Sequence, residues 1–261
     1  MRLPGSTIMS MRLFAGLSIT PYRPLTQSSA FTVKGSGNLK PAAVGKWRLV
    51  IVLDGIYYAL ALAAAGAVVA WLVTPWFAAV LWLLALFCLY FFRDPERAIP
   101  AGPVAVSPAD GKVVTVKAES PTEQRISIFL NIFDVHVNRA PVSGTVRKVE
   151  YRPGRFLVAS REECSSENEM NVVTLDGDGS RVIFKQIAGL IARRIVFNKK
   201  PGDHVATGER IGLIKFGSRM DVLLGPEWEV TVQPGTRVFA GSSVIARRIA
   251  LPAPDEASHG T

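Results

Sequence analysis

Histidine and cysteine are scarce in this chain of 261 residues, which holds three of the first and two of the second. Cys88 lies in an apolar segment and Cys164 far from it. The pair makes no disulfide framework and fits a reducing cytoplasm. So few imidazoles and thiols argue against a zinc site built on them, and no metal is expected. The chain lacks a phosphate-binding glycine loop, a dinucleotide fingerprint and a nucleophile elbow. The net charge of +9 comes without interleaved aromatic and basic residues, so nucleic acid is not an expected partner. Acid is missing from residues 1–48, which carry seven Lys and Arg and no Asp or Glu. Residues 1–46 therefore read as a basic leader without a fold of its own. It is suited to anionic lipid or to a transit role. Residues 252–261 read as a flexible tail.

Charge of either sign is missing from residues 55–92, between Asp54 and Arg93. As one helix that run would be about 57 Å long, roughly twice the hydrocarbon thickness of a bilayer. Thr74-Pro75-Trp76 divides it, because proline fixes φ and removes a donor. The expectation is a membrane helical hairpin over residues 47–94, with apolar spans at 55–73 and 76–92. Either two full spans or a re-entrant pair fits. A hairpin buried in a protein core would need far more surrounding chain. Lys46 and Arg48 precede the hairpin, and Arg93 and Arg97 follow it. Basic flanks on both sides place both ends, and the main domain, on the cytoplasmic face of the inner membrane.

After Pro95 the texture changes. Short Val- and Ile-rich runs alternate with Gly, Pro, Asp and Asn, which reads as a β-rich domain over residues 95–251. Strands are predicted at 111–117, 125–130, 144–151, 169–175, 181–187, 194–198, 210–215, 220–224, 229–232 and 243–250. One short helical piece is predicted at 188–194. Lys200-Pro201-Gly202-Asp203-His204-Val205 and the following Ile211-Gly212-Leu213-Ile214 resemble half of a lipoyl or biotinyl carrier domain. The fold class expected is therefore mainly β, like a barrel-sandwich hybrid, behind an apolar helical hairpin. A carrier displays a lysine between methionines; no Met-Lys-Met occurs, so the carrier function does not follow.

Three residue types remain for chemistry. His136 follows an apolar strand in Phe133-Asp134-Val135-His136-Val137-Asn138-Arg139-Ala140-Pro141; alone, it reads as a satisfied structural histidine. Asp110 in Ser107-Pro108-Ala109-Asp110-Gly111 reads alone as a turn former. Gly241-Ser242-Ser243 interrupts an apolar stretch, and alone it too is a turn. Together they can form a proton-relay set, with Asp110 orienting His136 and His136 activating a serine hydroxyl. Because Ser242 follows a glycine, its hydroxyl can attack the Gly241 carbonyl. Glycine permits the strained backbone this needs.

At these residues the chain resembles the phosphatidylserine decarboxylase proenzymes, of the short, archaeal-like type. The matching pieces are Tyr90-Phe91-Phe92-Arg93-Asp94-Pro95-Glu96-Arg97, Ser107–Gly111, the 133–141 segment, 208–219 and Phe239-Ala240-Gly241-Ser242-Ser243. They occur in order between about residues 54 and 250. Longer members of the family carry Leu-Gly-Ser-Thr and a second histidine shortly after the first. This chain has Ala-Gly-Ser-Ser, and Arg139 at the second-histidine position. Residues 1–46 fall outside the resemblance.

The resemblance implies self-cleavage at 241/242 into a β chain, 1–241, and an α chain, 242–261. Ser242 Oγ attacks the Gly241 carbonyl to give an ester. Loss of the Ser242 α-proton and β-elimination free Gly241 and leave dehydroalanine. Hydrolysis then releases ammonia and leaves a pyruvoyl group, the covalent cofactor. It implies a Schiff base between that group and the serine amine of phosphatidylserine. Loss of CO₂ and hydrolysis give phosphatidylethanolamine. It assigns His136 as base and Asp110 as its orienter. Arg139, Ser243 and Arg93 are candidates for binding substrate. The implied partners are phosphatidylserine, the membrane, the two chains of the cut protein, and a second copy in a homodimer. Two other functions stay open on the residues alone. One is a membrane-tethered barrel-sandwich adaptor without activity; the other is a serine hydrolase acting on lipid.

Overall fold

Residues 49–177, 179–190, 194–215 and 217–249 are described in a computed structural model. The leader at 1–46, the flanking Lys46, Trp47 and Arg48, and the tail at 252–261 lie outside the described residues.

Two helices follow the first strand, β1 (Leu49–Ile51): α1 (Leu53–Leu72) and α2 (Pro75–Phe91). The break falls where proline predicts it. Thr74 is the extended residue before α2, and Pro75 opens the helix, where its missing N–H costs nothing. The helices pack on each other at a close approach. A Cβ on Gly66 would lie 2.5 Å from Trp82 Nε1, and that indole donates to Ala63 O at 3.3 Å. The outer faces are bare: Trp71 is 85% and Trp76 84% exposed, and Leu60, Leu72, Phe77, Leu83 and Leu86 are exposed too. That overturns the buried-core alternative. Helix α1, 20 residues and about 30 Å, is the one described helix long and apolar enough to cross a bilayer. Helix α2 is shorter, at 17 residues.

The hairpin exits into β2 (Arg93–Pro95), which pairs with β1. Beyond it the chain is β. The strands are β3 (Val104–Val106), β4 (Gly111–Ser120), β5 (Glu123–Leu130), β6 (Val137–Arg139), β7 (Gly144–Arg152), β8 (Met170–Gly177) and β9 (Ser180–Ala188). They continue with β10 (Arg194–Phe197), β11 (His204–Val205), β12 (Arg210–Lys215), β13 (Ser218–Leu224), β14 (Trp228–Val230), β15 (Arg237–Val238) and β16 (Val244–Arg248). One large antiparallel sheet runs β11-β7-β8-β9-β13-β5-β4-β15; two small sheets run β10-β12-β6 and β14-β16-β3. All ten predicted strands are present, and the mainly β class with an apolar hairpin holds. The predicted helical piece at 188–194 does not form as read: Ala188 ends β9 and Arg194 begins β10, with 191–193 outside the described residues. The one described helix in this domain is Cys164–Glu167, α3.

Alternation builds the core. Met220, Val222 and Leu224 of β13 pack with Ile126, Ile128 and Leu130 of β5 and with Val182 and Phe184 of β9. The opposite face of β13 is buried as well, under the segment that carries α3. There Arg219 bonds Asp221 at 2.7 Å and Ser127 at 2.7 Å, and Arg125 pairs with Asp221 at 3.2 Å and with Glu162. Charges this deep stand only because each meets its opposite.

One topological feature places the site. The connection from β3 to β4 and the connection from β15 to β16 bridge the same two sheets side by side. Val238 pairs with Gly111 in the large sheet, and Val244 pairs with Val106 in a small one. The Ser-Pro-Ala-Asp segment therefore runs alongside the Gly-Ser-Ser turn.

Candidate active site

The turn at residues 239–243 is tight and anchored. Ser242 N–H and Ser243 N–H both donate to Phe239 O, at 3.2 and 3.0 Å, and Phe239 N–H donates to Ser243 Oγ at 2.9 Å. Gly241 N–H donates to Ser107 O at 2.8 Å, and Ser107 N–H donates to Ser243 O at 2.8 Å. Gly241 has φ +75°, in the left-handed region where a side chain costs roughly 1–2 kcal/mol. Ser242 is half-buried, with its Oγ 3.5 Å from Phe239 O.

Asp110 holds this turn. Its Oδ1 accepts from Ala240 N–H at 2.7 Å, and its Oδ2 pairs with Arg97 at 2.7 Å. Burial pushes its carboxyl above the usual range. The Ala240 N–H and Arg97 oppose that shift, and the nearby Asp134 charge adds to it. So placed, the carboxyl grips the acyl half of the Gly241–Ser242 bond through Ala240 N–H.

His136 is buried between two backbone groups. Its Nδ1 meets Asp134 O at 2.9 Å, and Gly217 N–H donates to its Nε2 at 3.3 Å. That pairing sets the tautomer with the proton on Nδ1 and the lone pair on Nε2. Phe91 of α2 lies over the ring, 4.1 Å between centroids. Burial pulls its pKa down to about 4, against the opposing Asp134 carbonyl and charge, with Arg93 adding to the lowering. His136 is therefore neutral at pH 7.

The expected Asp110–His136 hydrogen bond is not what the structure contains. The Asp110 carboxylate is taken by Ala240 and Arg97, and the Nδ1 of His136 by the carbonyl two residues before it. Asp134 is the charge they share. It accepts from Asn131 N–H at 2.8 Å, pairs with Arg237, and its charge acts on both His136 and Asp110. Asp134 and Arg237 escaped the sequence reading. The signal available was their spacing, two residues before His136 and four before Gly241.

The three substrate-binding candidates are placed differently. The guanidinium of Arg139 is buried, bonding Asp94 at 3.0 Å, Pro95 O at 3.2 Å and Gly208 O at 3.1 Å. Arg93 donates to Tyr90 O at 2.8 Å and Phe133 O at 2.7 Å and lies over the Tyr90 ring. Ser243 spends its hydroxyl inside the turn. The hairpin is also tied to the β domain by Lys215, which is buried and bonds Asp54 at 2.8 Å.

Two outcomes follow from the His136 environment. Below pH 6.5 the unfolded chain takes up a proton that the buried ring refuses until about pH 4. Stability is then fullest above pH 6.5 and falls toward pH 4, by up to roughly 3 kcal/mol. His136→Gln is expected to flatten that part of a thermal-unfolding profile. Phe91→Ala opens the ring to water and is expected to raise the His136 pKa toward 6.5, read by NMR titration. An unmoved pKa would show that the hairpin does not set it.

A family model described as phosphatidylserine decarboxylase matches residues 84–246. A curated relative named phosphatidylserine decarboxylase proenzyme, from Solibacter usitatus (strain Ellin6076), is 75% identical over 199 residues, covering 76% of this chain and 97% of its own length. A second of that name, from Oleidesulfovibrio alaskensis (strain ATCC BAA-1058 / DSM 17464 / G20), is 46% identical over 202 residues, covering 74% and 93%. A third, from Nitrosomonas europaea (strain ATCC 19718 / CIP 103999 / KCTC 2705 / NBRC 14298), is 49% identical over 172 residues, covering 63% and 80%.

Proposed function

Because the chain belongs to the phosphatidylserine decarboxylase family, we propose that it cuts its own Gly241–Ser242 bond and that Ser242 yields the pyruvoyl group with which it decarboxylates phosphatidylserine. The observation that carries this reading is the anchored turn. Gly241 is held left-handed, with its N–H on Ser107 and the preceding N–H on the Asp110 carboxylate. The residues fit the group: a serine hydroxyl follows a glycine in a pinned turn, beside a buried carboxyl whose pKa is raised. A pyruvoyl ketone supplies an electron sink for the carbanion left as CO₂ departs. The chain's own residues do the rest. Asp110 fixes the acyl half of the bond that breaks. The family resemblance gives His136 the acid–base role: its Nε2 lone pair, which accepts from Gly217 N–H, must leave that bond to take the Ser242 α-proton, and the proton so gained is the one it returns to the product.

The α chain, 242–261, stays with the β chain after cutting, because β16 lies between β14 and β3. The bare hairpin seats the protein in a bilayer and sets the site at headgroup level, where the lipid's serine lies. Basic residues after the hairpin favour the cytoplasmic face of the inner membrane. The homodimer rests on the family resemblance.

Intact mass under denaturing conditions tests the reading. Fragments 1–241 and 242–261 are expected, the smaller reacting with hydroxylamine or borohydride at its ketone. An active chain that stays whole, or one labelled by a fluorophosphonate at Ser242, overturns it. The adaptor alternative has no support in the β domain. Its one described helix is the four-residue α3, where such adaptors carry a long helical insertion.

A further inference from the structure

We infer that Arg139 receives the carboxylate that self-cutting creates at Gly241. This rests on the Gly241–Ser242 bond being the one cut. Attack by Ser242 Oγ on the Gly241 carbonyl breaks the C–N bond and forms an ester. Removal of the Ser242 α-proton then breaks the Oγ–Cβ bond, and Gly241 departs as a carboxylate. A charge is thus born at a buried residue that cannot drift away. Val238 remains paired with Gly111, Ala240 N–H remains on Asp110, and Gly241 N–H remains on Ser107. Burying an unpaired charge is costly, so a cation must be within reach.

Arg139 is that cation. A Cβ built on Gly241 would lie 2.8 Å from Arg139 Cδ and 3.6 Å from its Nε. Its two terminal nitrogens are committed to Gly208 O, Asp94 and Pro95 O, while Nε makes none of the described hydrogen bonds. The charge balance agrees. Arg139 and Arg210 share the single carboxylate of Asp94, which is 1% exposed, and Arg97 is already matched by Asp110. The Asp94 cluster therefore holds one positive charge too many before cutting. Arg210 Nη2, buried, has no hydrogen-bond partner among the described residues. The Gly241 carboxylate brings the cluster to two against two. It leaves the new terminus on the Arg139 side of the turn, away from the reacting carbon of residue 242.

Carbonyl-¹³C glycine labelling of the matured protein in micelles tests this. Of the 22 glycines, Gly241 would be the one carrying a free carboxyl. An ordinary α-carboxyl, pKa about 3.3–3.7, is about a quarter protonated at pH 4. The Gly241 signal is expected to stay at its pH 7 position down to pH 4, and Arg139→Gln to restore the ordinary shift. A wild-type signal that titrates like a free terminus overturns the inference. As a second measurement, Arg139→Gln is expected to lower the Tm of the cut protein by at least about 4 °C more than that of uncut Ser242→Ala protein. Equal losses overturn it. If Arg139→Gln stays uncut, the wild-type titration decides alone. An intact wild-type mass with no glycine carboxyl signal would instead remove the cutting site on which the inference rests.

Discussion

Ser242→Ala is expected to leave the chain whole, to form no ketone and to show no measurable decarboxylation. The argument is chemical rather than steric. The serine Oγ is the only atom at residue 242 that can attack the Gly241 carbonyl, and its Cβ–Oγ bond must break for a ketone to form. Alanine keeps the Cβ and loses both. The fold should survive, because among the described residues the hydroxyl makes one long hydrogen bond, 3.5 Å to Phe239 O, while the main-chain bonds of the turn come from N–H groups alanine retains. Intact mass and a CO₂-release assay check it. Fragmentation at this bond in the variant, or activity above background, would remove Ser242 from its role.

Asp110→Ala is expected to have the next largest effect, slowing cutting by roughly 10²–10⁴-fold, the range for losing a positioned proton-transfer group. The change deletes the acceptor of Ala240 N–H and leaves Arg97 unmatched beside the turn. Asp110→Asn separates the two roles. Its amide oxygen can still accept from Ala240, so it keeps the geometry and loses the titratable group. If Asn cuts at the wild-type rate while Ala does not, Asp110 is a positioning residue only. If both fail while folding is intact by thermal unfolding, its proton is needed. Time courses of fragment appearance in freshly synthesised protein measure both.

The hairpin was legible because its signal is compositional. A run without charge, cut by one proline, admits little besides two apolar helices, and helix starts tolerate proline where helix interiors do not. Nine strands of four residues or more, and the three-residue β14, were legible for a related reason: they lie in Val- and Ile-bearing runs between turn residues. The missed strands are of two or three residues, such as β6, β11 and β15, too short for any period. Their pairing comes from partners far away in the chain. The same holds for Asp134 and Arg237, which meet across about a hundred residues of sequence.

Chemistry and packing divide along that line. Gly241-Ser242-Ser243, Asp110 and His136 each read alone as a turn or a structural residue and gain their roles through the ordered resemblance to the family, while the hairpin implies a lipid setting through composition alone. Which of them touch is a different matter. That Asp110 grips Ala240 instead of His136 follows from two connections laid side by side between the same two sheets. That His136 is held neutral follows from its burial, with Phe91 of the hairpin against its ring. That Arg139 lies against Gly241 follows from the end of β6 bonding Pro108 O, in the segment that runs alongside the turn. Each of these contacts depends on desolvation and distance between segments remote in sequence, quantities that exist only once the chain has folded.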